Sequence, residues 1–273
     1  MGKADTPAHA TFRSRADLHM HTTCSDGAAT VPEVLAAVAR AGDLAVIAIT
    51  DHDTIAGAEL ARQLVTQRGY RFEVIVGAEI TSREGHIVGL FLQGPIAPGQ
   101  GAAATVAAIH AQGGLAFAPH PFFRDRPRRQ RRAMDALGTL TARLPFDAIE
   151  VDNSTPFLEW SNLRARRFAQ RHSLSMLGAS DAHILEAIGK SYTTFSGRTS
   201  ADLRRAIEHG ETTVGTKHYT PRELAAYFHF WCGYGHGKRT RDDDRTTRFP
   251  TAGATRRVKP GHNRSATSRQ RAG

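Results

Sequence analysis

Short apolar runs alternate with amphipathic stretches through most of the chain. The run Leu44-Ala45-Val46-Ile47-Ala48-Ile49-Thr50 is almost continuously apolar, the pattern of a strand buried on both faces. Related strand patterns recur at residues 72–80, 86–91, 115–118, 147–152 and 174–179. Between them, apolar positions return at helical spacing. Val34, Leu35, Val38 and Ala39 mark a helix over 31–41 that Pro32 opens and Gly42 closes. Further helices are predicted over 55–67, 102–112, 158–171, 200–208 and 221–231, the last with Leu224, Phe228 and Trp231 as a packing stripe. Strand followed by helix, repeated, argues for an α/β fold with a largely parallel sheet. Periodicity alone allows a barrel or an open doubly wound sheet.

Charge is spread unevenly over this pattern. Residues 237–273 hold eleven Lys/Arg against three Asp/Glu, so +8 of the net charge of +10 sits there. With few apolar side chains, that segment cannot bury enough surface to fold, and a disordered basic tail is predicted. Its expected role is at most nonspecific contact with polyanions such as nucleic acid. A length of 273 residues is ample for a buried core. No apolar run approaches the roughly 18 residues of a membrane span, and residues 1–17 hold no apolar signal core. Cys24 and Cys232 are too few for a disulfide framework, so a cytoplasmic setting without membrane contact is expected. No feature specifies an oligomeric state.

Candidate chemistry begins near the N-terminus. Asp17-Leu18-His19-Met20-His21 reads as a short strand whose alternation turns His19 and His21 to one face, as two neighbouring metal ligands need. The run from Thr22 to Gly27 then turns and presents Asp26 as a third candidate. Four later fragments belong with it: Thr50-Asp51-His52-Asp53, Glu79 with His86 after it, Pro119-His120-Pro121, and Ser180-Asp181-Ala182-His183. Most of these candidates fall at or just past the C-terminal ends of predicted strands, where (β/α) barrels place their chemistry.

In this order the fragments DLHMH, TDHD, GAE, PHP and SDAH resemble the PHP family, the polymerase and histidinol phosphatase superfamily of metal-dependent phosphoesterases. The resemblance covers about residues 14–215. It implies a distorted (β/α)7 barrel, followed by a helical extension over 216–236 and the basic tail. It also implies nine metal ligands: His19, His21, Asp26, His52, Glu79, His86, His120, Asp181 and His183. Six imidazoles with three carboxylates suit Zn, Mn or Fe. Nine ligands exceed the needs of one ion, so two to three divalent ions are expected to share them. The family pattern gives one ion His19, His21, Glu79 and Asp181, a second Glu79, His86 and His120, and a third Asp26, His52 and His183. The short loop between Glu79 and His86 resembles the compact members of the family.

The implied activity is hydrolysis of a phosphomonoester of a small metabolite or nucleotide by a metal-bound hydroxide, without a covalent enzyme intermediate. Asp26, Glu79 and Asp181 are the candidate catalytic carboxylates, and Asp26 is also a candidate acid for the leaving oxygen. Arg124, closest to His120 of a cluster that includes Arg126, Arg128, Arg129, Arg131 and Arg132, is the candidate substrate-binding residue. Two alternatives share the motif: an exonuclease trimming oligonucleotides, and a non-catalytic metal-stabilised domain. Asp17, Asp51 and Asp53 are candidates either to orient imidazoles or to satisfy strand ends. Asn153 is a candidate pocket residue. The remaining eight histidines are expected at the surface or in packing.

Overall fold

Among the described residues, nine strands join in one sheet whose order, β7-β6-β5-β4-β3-β2-β1-β8-β9, follows the chain through β1 to β7 and adds a C-terminal hairpin beside β1. The structure, a computed structural model, describes residues 13–123 and 136–245, with side chains followed to residue 233. It divides into one unit, Met1–Trp231, which contains the whole sheet, and a second, Cys232–Gly273.

The chain runs β1 (Arg13–Asp17), α1 (Val31–Ala41), β2 (Val46–Ile49), α2 (Ala56–Arg68), β3 (Glu73–Thr81) and β4 (His86–Leu90). It continues with α3 (Ala102–Ala111), β5 (Leu115–Ala118), a 3-10 turn, β6 (Ala148–Asn153), α4 (Glu159–His172) and β7 (Ser175–Ala179). A second 3-10 turn leads to β8 (Ser191–Ser196), α5 (Ser200–Glu208), β9 (Thr213–Thr216) and α6 (Pro221–Arg245). Local signals start and stop the helices as the sequence predicts. Thr30 and Glu33 form a capping box at α1, and Gly42 ends that helix in the left-handed conformation.

Strand alternation assigns the core. Ile47 and Ile49 of β2, Ala116 and Ala118 of β5, and Ile149 of β6 belong to one apolar cluster, which packs on Leu35, Val106 and Ala169 of the flanking helices. Val46, Ala48, Phe117 and Ala148 form the other, with Leu203, Ala206 and Ile207 of α5. The run at 44–50 is therefore buried on both faces, as its apolar continuity requires.

Seven strands share one direction and make a distorted α/β barrel, while β4 and β8 are antiparallel to both neighbours. For β4 the cause is the short connection Ser82–Gly85, which can close a hairpin but cannot make a parallel crossover. Between β7 and the β8–β9 hairpin, hydroxyls take the place of a strand ladder. Thr193 Oγ1 accepts from Gly178 N at 3.1 Å and donates to Gly178 O at 2.8 Å, and Thr212 Oγ1 donates to Met176 O at 2.7 Å. Gly178 permits this approach: a Cβ there would lie 2.6 Å from Val214 Cγ1 and 2.8 Å from Tyr192 O.

Three boundaries differ from the sequence pattern. β1 ends at Asp17, so Leu18–His21 is extended backbone beyond the strand and not part of it. β9 reaches Thr216, across the expected domain limit at 215. α6 continues past 236 to Arg245, because a helix satisfies its backbone within itself and needs no buried core for that. Residues 246–273 of the expected tail lie outside the described residues.

Candidate metal centre

Hydrogen bonds from backbone and from three aspartates hold the strand ends together. Asp17, fully buried, accepts hydrogen bonds from Ser180 N at 2.9 Å and Gly189 N at 2.7 Å, joining the end of β1 to the segment after β7. Burial outweighs these bonds and raises its pKa to about 6. His21 N donates to Ala182 O at 2.9 Å, and Thr50 N donates to Met20 O at 2.9 Å. Asp51 accepts from Thr22 N and Ser25 Oγ, each at 2.7 Å, and thereby fixes the turn that carries Asp26. Gly27 lets this turn fold back: a Cβ there would lie 2.5 Å from His21 O. Asp53 accepts from Thr81 N at 2.7 Å. Asp17, Asp51 and Asp53 thus tie backbone at strand ends.

These ties bring all nine candidate ligands to one place. Glu79, 1% exposed, stands at the centre. Its Oε1 is 3.0 Å from both His86 Nδ1 and His120 Nε2. Its Oε2 is 3.2 Å from His19 Nε2, 3.3 Å from His21 Nε2 and 3.5 Å from His52 Nδ1. Asp181 Oδ1 lies 3.4 Å from His19 Nε2 and 3.2 Å from His21 Nε2. Asp26 faces His21 and His183 at 3.4 Å and His52 at 3.6 Å. Donor atoms fall into three sets: His19, His21, Glu79 and Asp181; His52, Glu79 and His86; and His21, Asp26, His52 and His183. His120 and Asp181 adopt left-handed backbone (φ 28° and 53°), a strain that functional sites tolerate when packing enforces it.

Electrostatics follow from packing three carboxylates among imidazoles. Burial opposes a charge on His21, but Asp181, Glu79 and Asp26 outweigh it and push its pKa up to about 10. His19 and His120 also rise against burial, under the carboxylates facing them. Burial and two neighbouring rings lower His52. Glu79 and Asp181 are held well below the usual carboxylate range by the surrounding histidines, despite burial. Asp26 is lowered in the same way, chiefly by His183. An ionised Asp26 offers its oxygens to hydrogen-bond donors or a cation.

The donor set fits divalent ions. Both ring nitrogens of His21 and Nδ1 of His120 are buried without a hydrogen bond, although carboxylate oxygens lie within 3.4 Å of each His21 nitrogen. Buried polar atoms normally find partners, and imidazole nitrogens set among carboxylates suit divalent cations once their protons are displaced.

Glu150 is missing from the sequence-derived set. It is 1% exposed, with Oε1 3.1 Å from His19 Nδ1, and its Oε2 accepts from His120 N at 2.6 Å and Asn153 Nδ2 at 3.0 Å. An acid set between Ile149 and Val151 inside the predicted strand 147–152 was the available signal. Asn153 also donates to Asp181 Oδ2 at 3.2 Å, so it does reach the site. Trp231 of α6 approaches from the far side, its ring 5.4 Å from His183. Arg124 and the rest of its cluster lie outside the described residues. His110, paired with Asp147 at 2.8 Å, and His209, bonded to Arg205 O, take no part in the cluster.

Comparison with known proteins finds the PHP family in two stretches of the chain. The sequence model of the PHP domain matches residues 17–113, and that of the PHP-associated region matches residues 159–212. An uncharacterized protein of Methanocaldococcus jannaschii is 35% identical over 150 residues, covering 51% of this chain and 82% of that one. The 5'-3' exoribonuclease Rnm of Escherichia coli is 48% identical over 80 residues, 27% of this chain and only 26% of the relative. Among solved structures, a two-domain protein from Bacteroides vulgatus containing a predicted PHP-like metal-dependent phosphoesterase aligns with TM-score 0.61 and 20% identity. That alignment covers 76% of this chain and 65% of the other, and shows the fold.

Proposed function

This chain belongs to the PHP superfamily, and we propose that within it the protein hydrolyses a phosphomonoester of a small metabolite or nucleotide. It is a metal-dependent phosphoric ester hydrolase. The observation that supports the site assignment best is Glu79, whose two oxygens face different histidine pairs, His86/His120 and His19/His21. One carboxylate so placed can bridge two ions. His19, His21 and Asp181 complete the first set, His86 and His120 the second, and Asp26, His52 and His183 a third. When bound, two to three ions of Mn, Zn or Fe type lower the pKa of a water and neutralise charge on the phosphoryl oxygens.

The chain's own residues supply position. Glu150 holds His19 with Nε2 toward Glu79 and Asp181. Asn153 donates to Asp181 and steadies that carboxylate. Among the described residues no arginine enters the cluster, and Arg124 keeps the proposed role of substrate phosphate contact on the strength of its place four residues after His120. A cytoplasmic setting belongs to the same proposal; no helix among the described residues is long and apolar enough to cross a membrane.

An oligonucleotide-trimming reading is favoured by the 48% identity to the exoribonuclease over one 80-residue stretch. The complete ligand set speaks against a non-catalytic domain. A screen of the metal-reconstituted protein against phosphomonoesters, nucleotides, bisphosphates and short oligonucleotides separates these. Turnover of monoesters is expected. Cleavage of oligonucleotides alone would move the assignment to the second reading, and inertness toward every class would overturn both.

A further inference from the structure

α4 buries Ala165 and Ala169 against the sheet and leaves Trp160, Arg164, Arg167 and Arg171 exposed. At spacings of four, three and four residues these lie along one helical face, a stripe of roughly 16 Å. The stripe walls an open groove of about 640 Å³, with Phe122 and Thr139 opposite. Among the described residues no carboxylate lines it. Trp160 is 84% exposed, more than any other large apolar side chain among the described residues. Arg164 lies 4.5 Å over the ring of Phe122, which makes an aromatic and cationic floor.

Two connections join this groove to the metal centre. Phe122 follows His120 by two residues. On the other side, Asn162 of α4 donates through Nδ2 to Asn153 O at 2.9 Å, and Asn153 touches Asp181.

We infer, resting on the phosphoesterase reading and deepening its second form, that this groove binds single-stranded nucleic acid and leads its end to the metal centre. Bases stack on Trp160, and phosphates pair with Arg167 and Arg171. Aromatic faces interleaved with cations are what an unpaired strand needs, because every base has a face to stack and every linkage a charge to neutralise. An acidic peptide would use the arginines but leave the indole face idle. A duplex keeps its bases stacked on each other and offers Trp160 nothing.

The test is anisotropy of a short labelled single-stranded RNA with the full chain, held in chelator so that no hydrolysis occurs, across a salt series. Trp160→Ala should weaken binding roughly 5- to 150-fold, and Trp160→Phe should restore most of it. Arg167→Ala with Arg171→Ala should flatten the log–log salt slope by about 1.4, two phosphate contacts at ~0.7 each. Turnover of p-nitrophenyl phosphate by the metal-loaded variants should stay at the wild-type level, showing that they are folded. Unchanged affinity and slope in both variants would overturn the groove, as would equally tight binding of duplex. If wild-type protein fails on every ester while the groove variants still lose RNA affinity, the hydrolase reading falls and the groove stands.

Discussion

Glu150 Oε1 lies 3.1 Å from His19 Nδ1, with both side chains shut off from solvent. A carboxylate at Nδ1 sets the ring's proton on that nitrogen and leaves Nε2 to face Glu79 and Asp181. Glu150→Gln should therefore weaken metal affinity by roughly 10–100-fold while the fold survives. Competition titration with a chromophoric chelator measures this. Wild-type affinity in the variant would remove Glu150 from the site.

Glu79 is the residue two ions are expected to share. Glu79→Gln should abolish ester hydrolysis and reduce the bound metal from the two to three ions expected per wild-type chain. His110→Gln should leave turnover within about twofold, as a substitution away from the cluster. Elemental analysis and a steady-state assay on the same preparations check both, and comparable turnover in the two variants would defeat the assignment.

pH should act in opposite directions on the metal-free and the metal-loaded protein. His21 has a folded pKa near 10 against an ordinary value of 6.5, raised by carboxylates against burial. Protonated His21 therefore stabilises the metal-free fold fully below about 6.5, and that contribution is lost as pH rises toward about 10. Ions must displace the same proton, so metal affinity rises over that window. Thermal melts at pH 7 and 9 should show the chelated protein losing stability and the loaded protein gaining relative to it. Parallel curves for the two forms would contradict the charge state assigned to His21.

The extension after β9 should matter and the basic tail should not. Lys190 Nζ contacts Glu223 at 2.7 Å, Tyr219 OH lies 3.2 Å from Ser154 Oγ, and the Trp231 ring lies 5.4 Å from that of His183. A chain ending at His236 is expected to keep its metals and small-ester turnover. One ending at Thr216 should lose both in part, because it lacks Tyr227, which packs in the core, and Trp231, the wall beside His183. Metal content and turnover of the two truncations decide the boundary.

Legibility followed how local each signal was. The nine candidate ligands were legible through short motifs and the family they resemble: most follow an apolar strand in a turn, while Glu79 lies within β3 and His86 opens β4. Antiparallel β4 could have been read from the connection at 82–85, too short for a crossover. β8 and β9 were not read, because inward Ser191 and Thr193 of β8 carry hydroxyls, and the polar alternation looks like a surface segment until Ser191 bonds β6 and Thr193 bonds β7.

By itself the sequence determined the strand–helix alternation and named the nine candidate ligands. Tertiary structure alone decided which oxygen faces which ring. Glu79 meets histidines from β4 and from the segments after β1, β2 and β5 because strand pairing sets those ends side by side. Glu150 becomes the partner of His19 across 131 positions only because β6 lies beside β5 and β7 in the curved sheet. Such adjacency comes from long-range strand pairing and side-chain packing, which leave no periodic trace in the chain.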